Sequence, residues 1–325
     1  MSLISIVVPM YNEEEVLAEL HRQVSAELDP LPDDIEFVFV DDGSRDRSVA
    51  IATQISDADP RVRVVVLSRN FGHEAAIEAG LRESRGDAVI VMDADLQDGP
   101  DILPRLINAW HEGADVVYAV RKGRKEGRFL RAAFTSFYRL AERVMSIDLP
   151  RDAGPFSLMD RRVVDVLNAM PEKGRYFPGL RAFAGFHQVG MEAERRERLA
   201  GETKYSLVKR TVGATNAIFS FSKLPLRLMT GMGFLMTALA VIGLIWVIVG
   251  SIVGADIPPG WASLMIVLLF IGAALFLFMG ILGEYVGKIY DEVRGRPNYV
   301  VAEVIGDPAQ AEHDAHAARR EAGTG

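Results

Sequence analysis

Two stretches of this chain stay uncharged for longer than a bilayer needs. From Leu228 to Ala255, and again from Ile257 to Gly283, there is no Asp, Glu, Lys or Arg. Each run exceeds the roughly 20 apolar residues that carry a helix across a membrane. A buried helix pair in a large soluble core is the alternative, but core helices seldom remain uncharged for that length. The sequence therefore predicts two transmembrane helices. The link between them, Gly254 to Trp261, holds Asp256, Pro258 and Pro259 but no Lys or Arg, whereas Lys223, Arg227, Lys288, Arg294 and Arg296 flank the outer ends. Because cations favour the cytoplasmic side, both termini are expected in the cytoplasm and the chain is expected to be a multi-pass protein of the cytoplasmic membrane. The apolar start, Leu3 to Met10, is short and runs into Asn12-Glu13-Glu14-Glu15, so no signal peptide is read there.

These boundaries divide the 325 residues into expected parts: a cytoplasmic catalytic domain over 1–205, interfacial amphipathic helices over 206–227, two membrane helices over 228–287, a cytoplasmic segment over 288–305 and a disordered tail over 306–325. In the interfacial part Leu207, Val208, Val212, Phe219, Phe221 and Leu224 mix with Lys209, Arg210 and Lys223, a composition suited to headgroup level. Packing beneath the catalytic domain is the competing reading. The tail is rich in Ala, Glu, Gly and His, too polar to build a core.

A net charge of −8 argues against a nucleic-acid binder. The cations are nevertheless clustered: Arg121, Lys122, Arg124, Lys125, Arg128 and Arg131 form one group, and Arg195, Arg196, Arg198, Lys204, Lys209 and Arg210 another. Solvated faces or sites for phosphate and anionic lipid both explain such runs. The absence of cysteine excludes disulfides and a thiolate metal site, and fits a reducing compartment.

In the first half, short β-branched runs alternate with helical patterns, which predicts an α/β domain with a mainly parallel, Rossmann-like sheet. Candidate strands are Ile4–Val8, Glu36–Val40, Arg63–Leu67, Ala88–Met92 and Asp115–Tyr118. Helical spacing relates Val16, Leu17, Leu20 and Val24, and again Ile102, Leu103, Leu106 and Ile107. Open sheets of this kind bind ligands beyond the carboxyl ends of their strands, where this chain is acidic.

After Met92 comes Asp93-Ala94-Asp95-Leu96-Gln97. If the extended alternation persists, Asp93 and Asp95 face one side and can share a hard divalent cation beside a diphosphate. Asp-x-Asp also serves turns and caps; its place after a strand favours the metal. Asp41-Asp42-Gly43-Ser44 follows the second strand and Pro9-Met10-Tyr11-Asn12-Glu13 the first. Carboxylates there can accept hydrogen bonds from a base or ribose, and tyrosine can stack on a base. Asp42 and Ser44 can equally shape a turn. Neither a Gly-x-Gly-x-x-Gly nor a P-loop text is present, which disfavours dinucleotide dehydrogenases and P-loop NTPases. His73, in Asn70-Phe71-Gly72-His73, reads as a structural or helix-start residue.

Together these residues resemble glycosyltransferase family 2, with its GT-A fold, and within it the polyprenyl-phosphate glycosyltransferases such as dolichyl-phosphate mannose synthases and bacterial undecaprenyl-phosphate glucosyltransferases. The resemblance runs from Ile4 to Val301, including the apolar helices, Gly287-Lys288-Ile289-Tyr290 and Gly295-Arg296-Pro297. It implies that Pro9, Tyr11, Glu13, Asp42 and Asp93 bind the nucleotide and that Asp93, Asp95 and Gln97 hold Mg²⁺ or Mn²⁺. It further implies that Arg121, with Arg131 as the second arginine, meets phosphate, and that Lys204 in Gly201-Glu202-Thr203-Lys204-Tyr205 does likewise, Thr203 replacing the usual Ser. Two places depart from the family pattern. Asp98-Gly99-Pro100-Asp101 stands where a Pro-Pro-Glu-like text is usual, and in Asp152-Ala153-Gly154-Pro155-Phe156-Ser157 a proline occupies the position of a second acid. Any general base would then fall to Asp152.

The implied reaction is inverting transfer of a hexose from a nucleotide diphosphate sugar to a polyprenyl phosphate. UDP-glucose is the first expectation for the donor, because the long anchor and the Asn-Phe-Gly-His text look like the bacterial glucosyl branch; GDP-mannose is second. A processive polysaccharide synthase would carry Gln-x-x-Arg-Trp, which none of Trp110, Trp246 and Trp261 follows. A membrane-tethered nucleotide-binding subunit is the non-enzymatic alternative. The oligomeric state, a homo-oligomer included, stays open.

Overall fold

The computed structural model describes residues 1–121, 153–173, 175–193, 224–253 and 260–307. They fall into two compact units, and the chain returns from the second to the first at Pro297.

The first unit is built on one eight-stranded sheet, with strands β1 Leu3–Met10, β2 Asp34–Asp41, β3 Val62–Leu67, β4 Ala88–Val91, β5 Val116–Arg121, β6 Ala153–Asp160, β7 Gln188–Ala193 and β8 Val301–Ile305. The spatial order is β7-β5-β6-β4-β1-β2-β3-β8. Pairings β4–β1–β2–β3 are parallel, as is β5–β7; β6 runs antiparallel to both β4 and β5, and β8 antiparallel to β3. The central strands read as continuous apolar runs because helices cover both faces: in β1, every residue from Ile4 to Met10 is buried. The five strands expected from sequence are present with ends shifted by one to three residues: β1 and β2 are longer at both ends, β4 stops at Val91 instead of Met92, and β5 runs from Val116 to Arg121 instead of from Asp115 to Tyr118.

Among the described residues, six helices pack on this sheet: α1 Leu17–Leu28, α2 Ser48–Ala58, α3 His73–Glu83, α4 Leu103–His111, α5 Arg161–Ala169 and α6 Phe177–Phe183. Leu17, Leu20, Val24 and Leu28 form the buried stripe of α1, and Leu103, Leu106 and Ile107 that of α4. They close one core with Ile4, Ile6, Phe37, Phe39 and Ile90. Gly80 of α3 lies so close to β1 that a Cβ there would sit 2.2 Å from a methyl of Val7, which fixes α3 against the strands.

β8 was not read from the sequence. It pairs Val64 with Ile305 and Val65 with Val304, covering the open edge of β3. Beyond it, Asp307 pairs with Arg85 at 2.7 Å and with Arg63 at 3.7 Å. β6 and β7 were also unread.

The second unit contains two long helices, α7 Leu224–Val253 and α8 Trp261–Val293. Among the described residues, one segment, Phe270–Val293, is long and apolar enough to cross a membrane; Met229–Gly243 in α7 is a shorter apolar stretch. Helix α8 ends at Val293, capped by Arg294 and followed by Gly295 with φ of 65° and Pro297, a glycine-then-proline stop.

Candidate active site

The carboxyl ends of β4, β1 and β2 lie side by side, so the three acidic loops read from the sequence are neighbours by topology. Pro9 is tolerated inside β1 for a geometric reason. Backbone groups along a strand point alternately to its two neighbours, and Val7 O accepts Met92 N on the β4 side. The N–H that Pro9 lacks would face the same side, two residues past the last β1–β4 pair, Val7–Val91, so no ladder bond is lost.

The loops after β1 and β2 are laced together. Asn12 N donates to Ser44 Oγ at 2.9 Å, Glu13 N to Ser48 Oγ at 2.8 Å, Arg45 N to Asn12 Oδ1 at 2.8 Å and Arg47 N to Glu14 Oε2 at 3.0 Å. Asn12 takes φ of 53° to make this turn, a conformation Asn tolerates. Tyr11 and Glu13 are thereby held beside the β2 loop, both half-buried. Gly43 is required where it stands: with φ of +70°, a Cβ would meet Asn70 N at 2.5 Å.

Asp42 is committed within this framework. Its Oδ1 accepts from Phe71 N at 2.6 Å and its Oδ2 from Gly72 N at 2.9 Å, while Asn70 Nδ2 donates to the Asp42 carbonyl at 3.0 Å. Burial pushes its carboxyl above the usual range, against the pull of those two N–H groups. Asp42 thus shapes the turn at Phe71–Gly72, one of the two roles read for it from the sequence.

After β4 the burial alternates residue by residue: Asp93, Asp95 and Gln97 are half-exposed, while Ala94 and Leu96 are buried in the core. Burial therefore keeps alternating past the last residue of β4, through a turn at Ala94–Leu96, and the three polar side chains stay partly open to solvent. Gln97 N donates to Asp95 Oδ1 at 3.1 Å, and Leu96, with φ of 54°, turns the chain. His73 Nε2 lies 3.3 Å from Asp93 Oδ1. His73 begins α3, as the sequence reading allowed, but its contact with Asp93 was not read. Beside it, Glu74 Oε2 accepts Phe177 N at 2.9 Å, and burial raises its carboxyl above the usual range.

No cluster of three or more His, Asp or Glu able to hold a metal occurs among the described residues. Two partly exposed carboxylates two residues apart nonetheless fit a divalent cation of the kind that serves nucleotide phosphates, since such ions take one or two carboxylates and complete their shell with phosphate oxygens and water.

On the other half of the sheet, Arg121 is the last residue of β5, its backbone opposite Ala193 of β7. Arg131, Asp152 and Lys204, the interfacial segment up to residue 223 and both basic clusters beyond Arg121 lie outside the described residues, and residues 224–227 of that segment form the start of α7. Arg181 is a residue that sequence reasoning missed. Fully buried, it donates from Nη1 to the Gly154 carbonyl at 3.3 Å and sits 5.0 Å from the centre of the Tyr118 ring. Burial lowers its pKa to about 10. It braces the start of β6, where Pro155 departs from the family pattern.

An α/β sheet with acidic loops gathered at the carboxyl ends of its central parallel strands is an architecture of the GT-A kind. The comparisons agree: the description "Glycosyl transferase family 2" matches residues 5–167. The chain belongs to glycosyltransferase family 2. It is 42% identical over 303 residues to an uncharacterized glycosyltransferase of Bacillus subtilis, covering 93% of this chain and 94% of that one. It is 36% identical over 299 residues to the bactoprenol glucosyl transferase of Shigella phage SfII, covering 92% and 97%. Among solved structures, glucosyl-3-phosphoglycerate synthase from Mycobacterium tuberculosis in complex with uridine diphosphate matches with a TM-score of 0.48 and 18% identity, over 67% of this chain and 78% of that one.

Proposed function

We propose that this glycosyltransferase moves a hexose, with UDP-glucose as donor, onto undecaprenyl phosphate at the cytoplasmic face of the membrane. The observation that carries the reading is the alternating burial that leaves Asp93, Asp95 and Gln97 partly exposed beyond β4 while Ala94 and Leu96 fill the core. Relatives named bactoprenol glucosyl transferase support the acceptor, because the match to them spans 92% of this chain and so takes in apolar helices as well as the sheet. The anchor reading, two crossings with both termini cytoplasmic, rests on the uncharged runs and the flanking cations.

In this reading Pro9, Tyr11, Glu13 and Asp42 build the nucleotide pocket, Asp42 through the Phe71–Gly72 turn. Asp93, Asp95 and Gln97 would hold Mg²⁺ or Mn²⁺, which when bound supplies positive charge to the diphosphate oxygens. A phosphate monoester has a second pKa of about 6, so the acceptor already presents an anionic oxygen and needs little from a base; any such base is assigned to Asp152. The harder requirement is bringing two anions together, and Arg121, Arg131 and Lys204 offset their repulsion. The acceptor oxygen attacks the anomeric carbon as the nucleoside diphosphate leaves from the opposite side, inverting the centre.

The test is transfer of radiolabel from UDP-glucose to undecaprenyl phosphate in membranes carrying the full chain. Labelled lipid is expected with the wild type, and Asp95→Ala should reduce it by about 10²–10³-fold. Absence of labelled lipid, label arising from GDP-mannose alone, or undiminished transfer by Asp95→Ala would overturn the reading.

A further inference from the structure

His73 has no part in the roles assigned so far, yet three separate contacts deliver it to the metal side of the site. Its side chain is 38% exposed and that of Asp93 25%, with Nε2 3.3 Å from Oδ1. The segment before it is fixed by Asp42, whose two carboxylate oxygens accept Phe71 N and Gly72 N. Asp42 is in turn fixed by its own N–H, which donates to Met10 O at 3.0 Å. Gly72 adopts φ of 103°, a conformation that only glycine takes readily, and α3 begins at the next residue. On the far side Glu74 is tied to Phe177 N. The end of β2 thus holds an imidazole against the carboxylate at the end of β4, across a loop that belongs to neither strand.

A carboxylate that binds a hard cation performs best when one oxygen is held by a donor, because the donor fixes its rotation and the direction of the other oxygen. We propose that His73 is a positioning residue for Asp93, orienting that carboxylate toward the divalent cation of the donor diphosphate. The proposal rests on the metal-assisted reading above. It also gives Asp42 a second consequence: the turn it shapes sets where the imidazole stands.

The experiment is a titration of the full-length protein in detergent with Mn²⁺, read by electron paramagnetic resonance, with UDP present and, separately, GDP. His73→Ala should weaken Mn²⁺ binding by about 10–100-fold and leave the metal-free thermal midpoint unchanged. His73→Gln, which keeps an N–H donor, should recover most of the affinity. Unchanged affinity in His73→Ala, against intact binding by the wild type, overturns the proposal alone. A wild type that binds no Mn²⁺ with either nucleotide overturns the metal reading and the proposal together. Equal loss in both variants, with nitrogen coupling to Mn²⁺ in the wild type, makes His73 a ligand instead of a positioning residue. Loss of affinity accompanied by a lowered midpoint in both variants marks a role in folding and overturns it as well.

Discussion

The two units use the same side chains for opposite ends. In the sheet unit Phe39 is 0% exposed and packs in a core with Ile6, Phe37 and Leu20; in the helical unit Phe276 is 76% exposed, and Trp246 and Ile252 are similarly bare. A water-soluble surface does not carry so large a contiguous apolar area without a partner. The sheet unit removes its apolar surface from water by folding, whereas α7 and α8 leave much of theirs exposed, and the Phe270–Val293 segment of α8 is long and apolar enough to cross a membrane. Apolar content alone therefore says little; its periodicity and the spacing of charge decide which of the two solutions a segment takes. Val and Ile in β1 and β2 are punctuated every few residues by acidic loops, and those in α7 and α8 are not.

The sharpest way to break this comparison is to make one substitution in both units. Phe39→Ala should cost about 3–5 kcal/mol of unfolding free energy, through lost burial and the cavity left behind, read as a lower urea midpoint for the sheet unit. Phe276→Ala should shift that midpoint by less than about 0.5 kcal/mol. Equal effects would mean that α8 is part of a soluble core. The next largest effect concerns the lipid phase itself. Leu275→Arg, within the apolar segment of α8, should cost about 2.5–3.5 kcal/mol of insertion. The variant should be released from membranes by alkaline carbonate more readily than the wild type. Unchanged extraction would remove the bilayer from the comparison.

Much of the sheet unit was legible because its signals are local. Period-two burial around Asp93 and Asp95 follows from Ala94 and Leu96, the only apolar residues between the acids, and the strand ends follow from β-branched runs closed by Asp, Gly and Ser. The missed contacts are all between distant positions. Nothing near Asp42 in sequence signals that its carboxylate will bind N–H groups at Phe71 and Gly72, and nothing near Asp93 signals His73. β6 was hidden by Gly154-Pro155 at its start, and Arg181 by looking like any helical surface cation, although its neighbours enclose it completely. β8 was missed for a different reason: it comes after the apolar helices, where a short Val-Ala-Glu-Val-Ile run has no partner in its own neighbourhood and acquires one only by returning to β3.

That return gives the smallest and most local test. Tyr299 lies between Asn298, whose Nδ2 donates to Glu78 Oε2 at 2.7 Å, and Val300, whose carbonyl accepts Ser68 N at 2.9 Å. Burial raises its phenol to about 12, against about 10 in an unfolded chain. The folded state thus favours the neutral form. Its contribution to stability is complete below pH of about 10 and declines as pH rises toward the folded pKa, because the unfolded phenol loses its proton first. Tyr299→Phe removes that proton and with it the dependence. Between pH 8 and about 11 the urea midpoint of the sheet unit should fall further in the wild type than in Tyr299→Phe. Equal slopes would show that the chain after α8 does not share the stability of the sheet, and that the comparison between the units should be drawn at β8 instead of at Pro297.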